Sequence, residues 1–164
     1  SAKQGERVMD YIKIGQDEGA NLLLGGQRRM IEGCEAGYFI EPTVFEADNS
    51  MRIAQEEIFG PVLSVMKWSN YEHMIEEANA SRYGLASGVY TNDLAMALNT
   101  ADLLQTGSVW VNQYFNLMNG TPFGGYKESG LGREFCHETL NHYTQLKSIT
   151  LVGSVPDPFY IQAH

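Results

Sequence analysis

Two adjacent acids, Glu56 and Glu57, run directly into Ile58-Phe59-Gly60-Pro61 ahead of an apolar, strand-like stretch. A carboxylate held at the mouth of a strand accepts two hydrogen bonds from vicinal hydroxyls, which is what holding a ribose requires. A neighbouring aromatic such as Phe59 packs on a flat ring. The competing reading is a solvated pair of surface acids, and spacing alone leaves both open. The second concentration of chemistry is Thr121 to Glu134, T-P-F-G-G-Y-K-E-S-G-L-G-R-E, with glycines at 124, 125, 130 and 132. Glycine admits positive φ and lets backbone or a ligand come close, so this density predicts a tightly shaped crossover where an α/β protein places a ligand.

Two phosphate motifs are only imitated there. Gly125 to Gly130 starts like a phosphate loop, but Leu131 and Gly132 stand where Lys and Ser or Thr are needed. The dinucleotide pattern G-x-G-x-x-G fails because Phe135 replaces the third glycine. Glu134, Glu138 and His142, spaced four apart, would share a helix face able to hold a divalent metal, with a solvated polar face as the competing reading. His137 and His142 point in different directions and make no pair. Cys136 reads as a small core residue inside that helix, and Cys34 lies between Glu32 and Glu35, whose charge disfavours a thiolate. Neither is a convincing nucleophile.

The elements that must position these groups follow from periodicity. Residues 5–18 place Val8, Tyr11 and Ile12 at helical spacing, with Gly19 as a stop. Leu22 to Leu24 predict a short buried strand before Gly25-Gly26, and 27–37 a surface loop or hairpin. Tyr38 to Phe45 reads as extended pieces in which Pro42 favours a sheet edge. A short helix within 49–55, a strand over 61–68 and a helix over 71–80 come next. A strand over 85–91, a helix over 93–105 and a strand over 107–112 follow. Another helix begins near Glu134, and Lys147 to Val152 alternates as a lone strand that pairs outside its own domain. Strands alternating with helices predict an α/β fold built on a mainly parallel βαβ sheet flanked by helices.

At 164 residues and 43% hydrophobic content the chain suits one domain, burying roughly two thirds of its unfolded surface. Its formal charge of −9 repels phosphate backbones and anionic membranes, so nucleic acid is not an expected partner. No apolar run approaches the length of about 20 residues a membrane helix needs, so no membrane association is expected. Two cysteines make no disulfide framework and suit a reducing compartment, so a cytoplasmic setting is expected. The chain starts S-A-K-Q-G-E-R-V without an initiating Met, as a piece of a longer polypeptide would.

Four motifs in order, E-E-I-F-G-P at 56–61, Y-G-L-A-S-G-V-Y-T at 83–91, G-S-V-W-V-N at 107–112 and P-F-G-G-Y-K-E-S-G-L-G-R-E at 122–134, strongly resemble the aldehyde dehydrogenase superfamily. The stretch 139–149 is similar to its betaine aldehyde dehydrogenase branch. The resemblance implies oxidation of an aldehyde to a carboxylic acid with NAD or NADP, through a cysteine thiohemiacetal, a bound oxyanion and a water-activating glutamate. Carried over residue by residue, it implies that Glu57 holds the nicotinamide ribose and that Phe59 packs beside the nicotinamide. It implies Glu134 in a proton relay and the backbone carbonyls of Lys127 and Gly130 as potassium ligands. The loop from Tyr114 through Phe115 to Phe123 would line the aldehyde entrance.

The nucleophile, the water-activating glutamate and the Rossmann half have no counterpart among these residues. The resemblance therefore covers only the carboxyl-terminal third, with residues 1–145 as a partial catalytic domain and 146–164 as an oligomerisation strand and tail of a homo-oligomeric parent. By itself the chain is expected to be inactive and to bind no cofactor tightly. Glu57 and the turn near Gly125 are expected to face a common cleft. The alternatives are a non-catalytic interaction or assembly module that kept the fold, and a small independent nucleotide binder.

Overall fold

The computed structural model describes residues 1–151 and residue 153. Helix α1, Ala2–Asp17, is capped by the Ser1 hydroxyl, which accepts from the Gln4 amide, and it buries Val8, Tyr11 and Ile12 on one side. That stripe lies on a three-stranded sheet of β1 (Asn21–Leu24), β2 (Thr43–Glu46) and β3 (Val62–Val65), in that order. β1 runs antiparallel to β2, and β2 parallel to β3. Phe45 on β2 is fully buried, and Ile53 of the short helix α2 (Arg52–Gln55) and Ile58 complete the cluster around it.

The remaining elements are α3 (Tyr71–Asn79), β4 (Tyr83–Gly84), β5 (Ala86–Val89), α4 (Leu94–Leu103), β6 (Ser108–Val111), β7 (Tyr126–Lys127) and a 3-10 helix, His137–His142. Asn70 and Asp93 cap α3 and α4 by accepting from the amides of His73 and Met96. Asn79 ties the two helix ends together, donating to the Leu103 carbonyl and accepting from the Gln105 amide.

The α/β assignment and most element positions agree with the sequence reading; the single mainly parallel sheet does not. β5 and β6 pair in parallel around α4 as a βαβ unit, but β1-β2-β3, β4-β7 and β5-β6 are three separate sheets. Among the described residues nothing bridges β3 to β5, so each parallel pair keeps an open edge. β1 is not buried, since Leu23 and Leu24 are both exposed. Pro42 does not mark an edge either. It sits one residue ahead of β2, the central strand, where its missing N–H costs no ladder bond, and the Thr43 amide next to it already donates to the Pro61 carbonyl.

No α-helix starts at Glu134. Its amide and carbonyl are both bonded to Phe123, and Phe135 adopts φ 62°, which takes the chain off a helical path. Cys136 is consequently the half-buried cap preceding the 3-10 helix, not a residue within it. Residues 147–151 form no strand and are exposed, as expected where no strand lies alongside; Val152 and 154–164 lie outside the described residues.

Candidate functional site

The first site is built by α1 against the Glu56–Pro61 segment. Glu56 is fully engaged: Arg52 donates to both carboxylate oxygens at 2.9 Å and the Tyr11 hydroxyl donates at 2.7 Å. These two donors, Arg52 first, hold its pKa down to about 2, with Arg82 adding a smaller charge effect. The same bond raises Tyr11, chiefly because ionising it would place a phenolate against Glu56. Glu57 differs in every respect. Its side chain is exposed, and among the described residues its carboxylate has no hydrogen bond or ion pair. Phe59 beside it is 75% exposed and sits at φ 60°. Glu57 and Phe59 line a hollow of about 740 Å³ together with α1 residues including Gln4, Arg7 and Tyr11.

The second site is the glycine-rich turn. A Cβ on Gly107 would lie 1.7 Å from the Gly124 carbonyl oxygen, and one on Gly124 would lie 2.1 Å from that of Gly132, so three backbone segments touch there. Arg133 laces the turn by donating to the carbonyls of Gly125 and Gly132 at 3.0 and 2.9 Å. Lys127 reaches the other way, its ammonium on the carbonyls of Asn79 and Ser81 at 2.7 and 3.0 Å, while Ser129 accepts from the Gly84 amide. The Lys127 carbonyl accepts a long contact from the Gly130 amide, 3.4 Å, and Gly130 itself lies at φ 102°.

The third is the loop after β6. Trp110 donates its indole N–H to the Asn116 carbonyl at 2.9 Å, and the rings of Tyr114 and Phe115 meet it edge-on at 5.3 and 6.3 Å. Phe123 packs edge-on against Phe135 and lines a hollow of about 280 Å³ with Trp110 and Met118.

The structure thus joins Glu57 to Phe59, Tyr114 to Phe115 through Trp110, and Phe123 to Glu134 through paired backbone bonds. It does not place Glu57 and the glycine turn in one hollow: the cavity of Glu57 and Phe59 is walled by α1. What connects the two regions is Arg82, paired with Glu128 of the turn at 3.6 Å and close enough to Glu56 to bias it. The metal reading of Glu134, Glu138 and His142 fails, because Glu134 lies outside the helix and no such cluster exists among the described residues. Glu138 instead has a lowered pKa, first through the neighbouring Cys136 thiol and then through its own amide.

Sequence reasoning missed Gln4, Arg7, Tyr11 and Arg52. Gln4, Arg7 and Tyr11 follow one another at helical spacings of three and four, a visible alignment, but their targets lie about fifty residues away and no local pattern names them. All five non-glycine residues with positive φ among those described, Phe59, Asn112, Phe115, Lys127 and Phe135, fall within these three segments or, for Phe135, directly after the glycine-rich turn.

The aldehyde dehydrogenase family model matches residues 1–149. The betaine aldehyde dehydrogenase of Brucella melitensis biotype 2 is 44% identical over 161 residues, covering 97% of this chain and 33% of that protein. An aldehyde dehydrogenase of Aspergillus niger is 45% identical over 150 residues, covering 91% and 29%. The crystal structure of a Mycobacterium tuberculosis aldehyde dehydrogenase complexed with NAD+ superposes with a TM-score of 0.85 at 47% identity, covering 95% of this chain and 32% of that one. The chain therefore spans about a third of the length of the relatives it matches.

Proposed function

Because the chain belongs to the aldehyde dehydrogenase family, we propose that it is the carboxyl-terminal part of an NAD(P)-dependent enzyme that oxidises an aldehyde to a carboxylic acid. The cysteine that forms the thiohemiacetal lies in polypeptide preceding this chain. One observation carries the assignment of this chain's residues. Phe59, Phe115 and Lys127, each singled out by the resemblance, all stand in the left-handed region. That conformation costs roughly 1–3 kcal/mol for such residues and persists where surrounding structure is committed to holding a functional geometry.

NAD or NADP, when bound, supplies the hydride acceptor. The residues present fit one end of it: Glu57 offers two uncommitted carboxylate oxygens to vicinal hydroxyls, and the exposed ring of Phe59 offers a flat apolar face. Tyr114, Phe115 and Phe123 line the aldehyde entrance, the first two with rings left exposed for a substrate to meet. Glu134, fixed through its backbone to Phe123, takes and releases a proton at its carboxylate. The long contact to the Lys127 carbonyl leaves that oxygen capacity for potassium, with the Gly130 carbonyl as second ligand. The parent protein is a homo-oligomer, and the two free cysteines suit the cytoplasm.

The test compares the complete gene product with the 164-residue chain, following NADH at saturating betaine aldehyde and a short aliphatic aldehyde. The complete protein turns over, Glu57→Gln raises its KM for NAD about tenfold, as loss of a charge-assisted hydrogen bond does, and the chain alone is inactive. Enzyme-like turnover by the chain alone would overturn the assignment. Calorimetry of the chain with NAD covers the independent-binder alternative, for which a measurable heat of binding is required.

A further inference from the structure

Three consecutive carbonyls, those of Glu57, Ile58 and Phe59, all accept hydrogen bonds from one face of α1. Arg7 donates through Nη2 to Glu57 at 2.7 Å and through Nε to Ile58 at 3.4 Å. Gln4 donates through Nε2 to Phe59 at 2.7 Å and to Ile58 at 3.4 Å. Gly60 is pressed against the same helix, since a Cβ there would lie 2.4 Å from Val8 Cγ2. Ile58 is buried between the two residues whose side chains face outward. Arg7 is itself steadied, its guanidinium lying 5.1 Å from the centre of the Tyr11 ring, and Tyr11 is bonded to Glu56.

We infer that Gln4 and Arg7 are positioning residues for the cofactor-binding pair Glu57 and Phe59, with Tyr11, Arg52 and Glu56 as their anchor. This rests on the reading of Glu57 and Phe59 given above. The physical reason lies in Phe59. A phenylalanine at positive φ relaxes toward the ordinary regions unless its carbonyls are held, and relaxation swings both its ring and the preceding carboxylate. Hydrogen-bond donors on a rigid helix hold those carbonyls without occupying the side chains, so Glu57 stays available. The two adjacent acids therefore divide the work: Glu56 binds the scaffold, and Glu57 faces the ligand.

The experiment uses the complete gene product with Gln4→Ala, Arg7→Met, the double variant, Arg7→Lys and, on the far side of α1, Lys13→Met. The double variant raises the KM for NAD about tenfold while kcat at saturating NAD and the KM for aldehyde stay within about twofold; Arg7→Lys recovers part of the loss and Lys13→Met changes neither. In the 164-residue chain, amide exchange over Glu57–Val62 quickens in the double variant without a change in melting temperature, because Arg7 is exposed and only partly buried Gln4 is trimmed. An active wild type whose variants keep the KM for NAD overturns this inference alone, and so does a raised KM without quicker exchange over Glu57–Val62, because Gln4 and Arg7 line the same hollow and would then act by touching the cofactor. A parallel fall in kcat and melting temperature also overturns it, since that is a general structural defect. A wild type without NAD-dependent activity overturns both this inference and the reading beneath it.

Discussion

Residues 1–65 and residues 83–151 are stabilised by different means. In the first, α1 closes over β1-β2-β3 and the cluster of Val8, Tyr11, Ile12, Phe45, Ile53 and Ile58 forms a continuous apolar core. In the second, only Gly84, Ala97, Thr100, Trp110, Gly124 and Gly125 are buried, and Leu98, Leu131, Leu146 and Leu151 are exposed. Its shape comes from backbone locks: glycines in mutual contact, Arg133 and Lys127 on carbonyls, and the Trp110 bond to Asn116. A region held by hydrogen bonds at the surface gains little from the hydrophobic effect, so it depends on further apolar surface to cover it. The loop and turn assigned to the aldehyde and to potassium belong to this second region, and the cofactor pair to the first.

Three measurements break or sharpen that contrast. The largest effect is expected from Phe45→Ala, which empties the centre of the core and costs about 3–5 kcal/mol. Urea denaturation then shows loss of the cooperative transition, while Leu146→Ala, at a fully exposed position, stays within about 0.5 kcal/mol. Equal effects from the two would abolish the distinction. Next comes Gly107→Ala, whose methyl meets the Gly124 carbonyl and costs about 1–3 kcal/mol. Amide exchange locates the damage: faster over 121–134, unchanged in α1.

The smallest effect is on acid stability. Glu56 has a depressed folded pKa, about 2 against an ordinary 4.5, so its contribution is fully present above about 4.5 and is lost as pH falls toward 2. Wild type therefore loses stability across that window. Glu56→Gln is already weaker at pH 7 and shows a shallower fall on acidification, read from urea midpoints at pH 7, 4 and 2.5. An unchanged slope would show that Arg52 and Tyr11 do not hold this carboxylate in solution.

The local elements were legible because their causes are local. Helical spacing of Val8, Tyr11 and Ile12 and the apolar runs of β3, β5 and β6 each act within a few residues. Glu57, Phe59 and the glycine-rich turn stood out by residue type, and the positive φ angles fell where those types were concentrated. The expected helix at Glu134 failed because its backbone groups had a better partner in Phe123, eleven residues earlier.

Chemistry carried by composition and order was therefore determined by the sequence itself: two acids before an aromatic, glycines at a crossover, an alternation of strands and helices. Tertiary structure alone decided which of the two acids is engaged, what grips the carbonyls behind the other, and that the strands divide into three sheets. Those outcomes depend on contacts between residues some fifty positions apart, such as Arg7 with Glu57 and Tyr11 with Glu56, whose donors and acceptors become neighbours only when α1 packs onto the sheet.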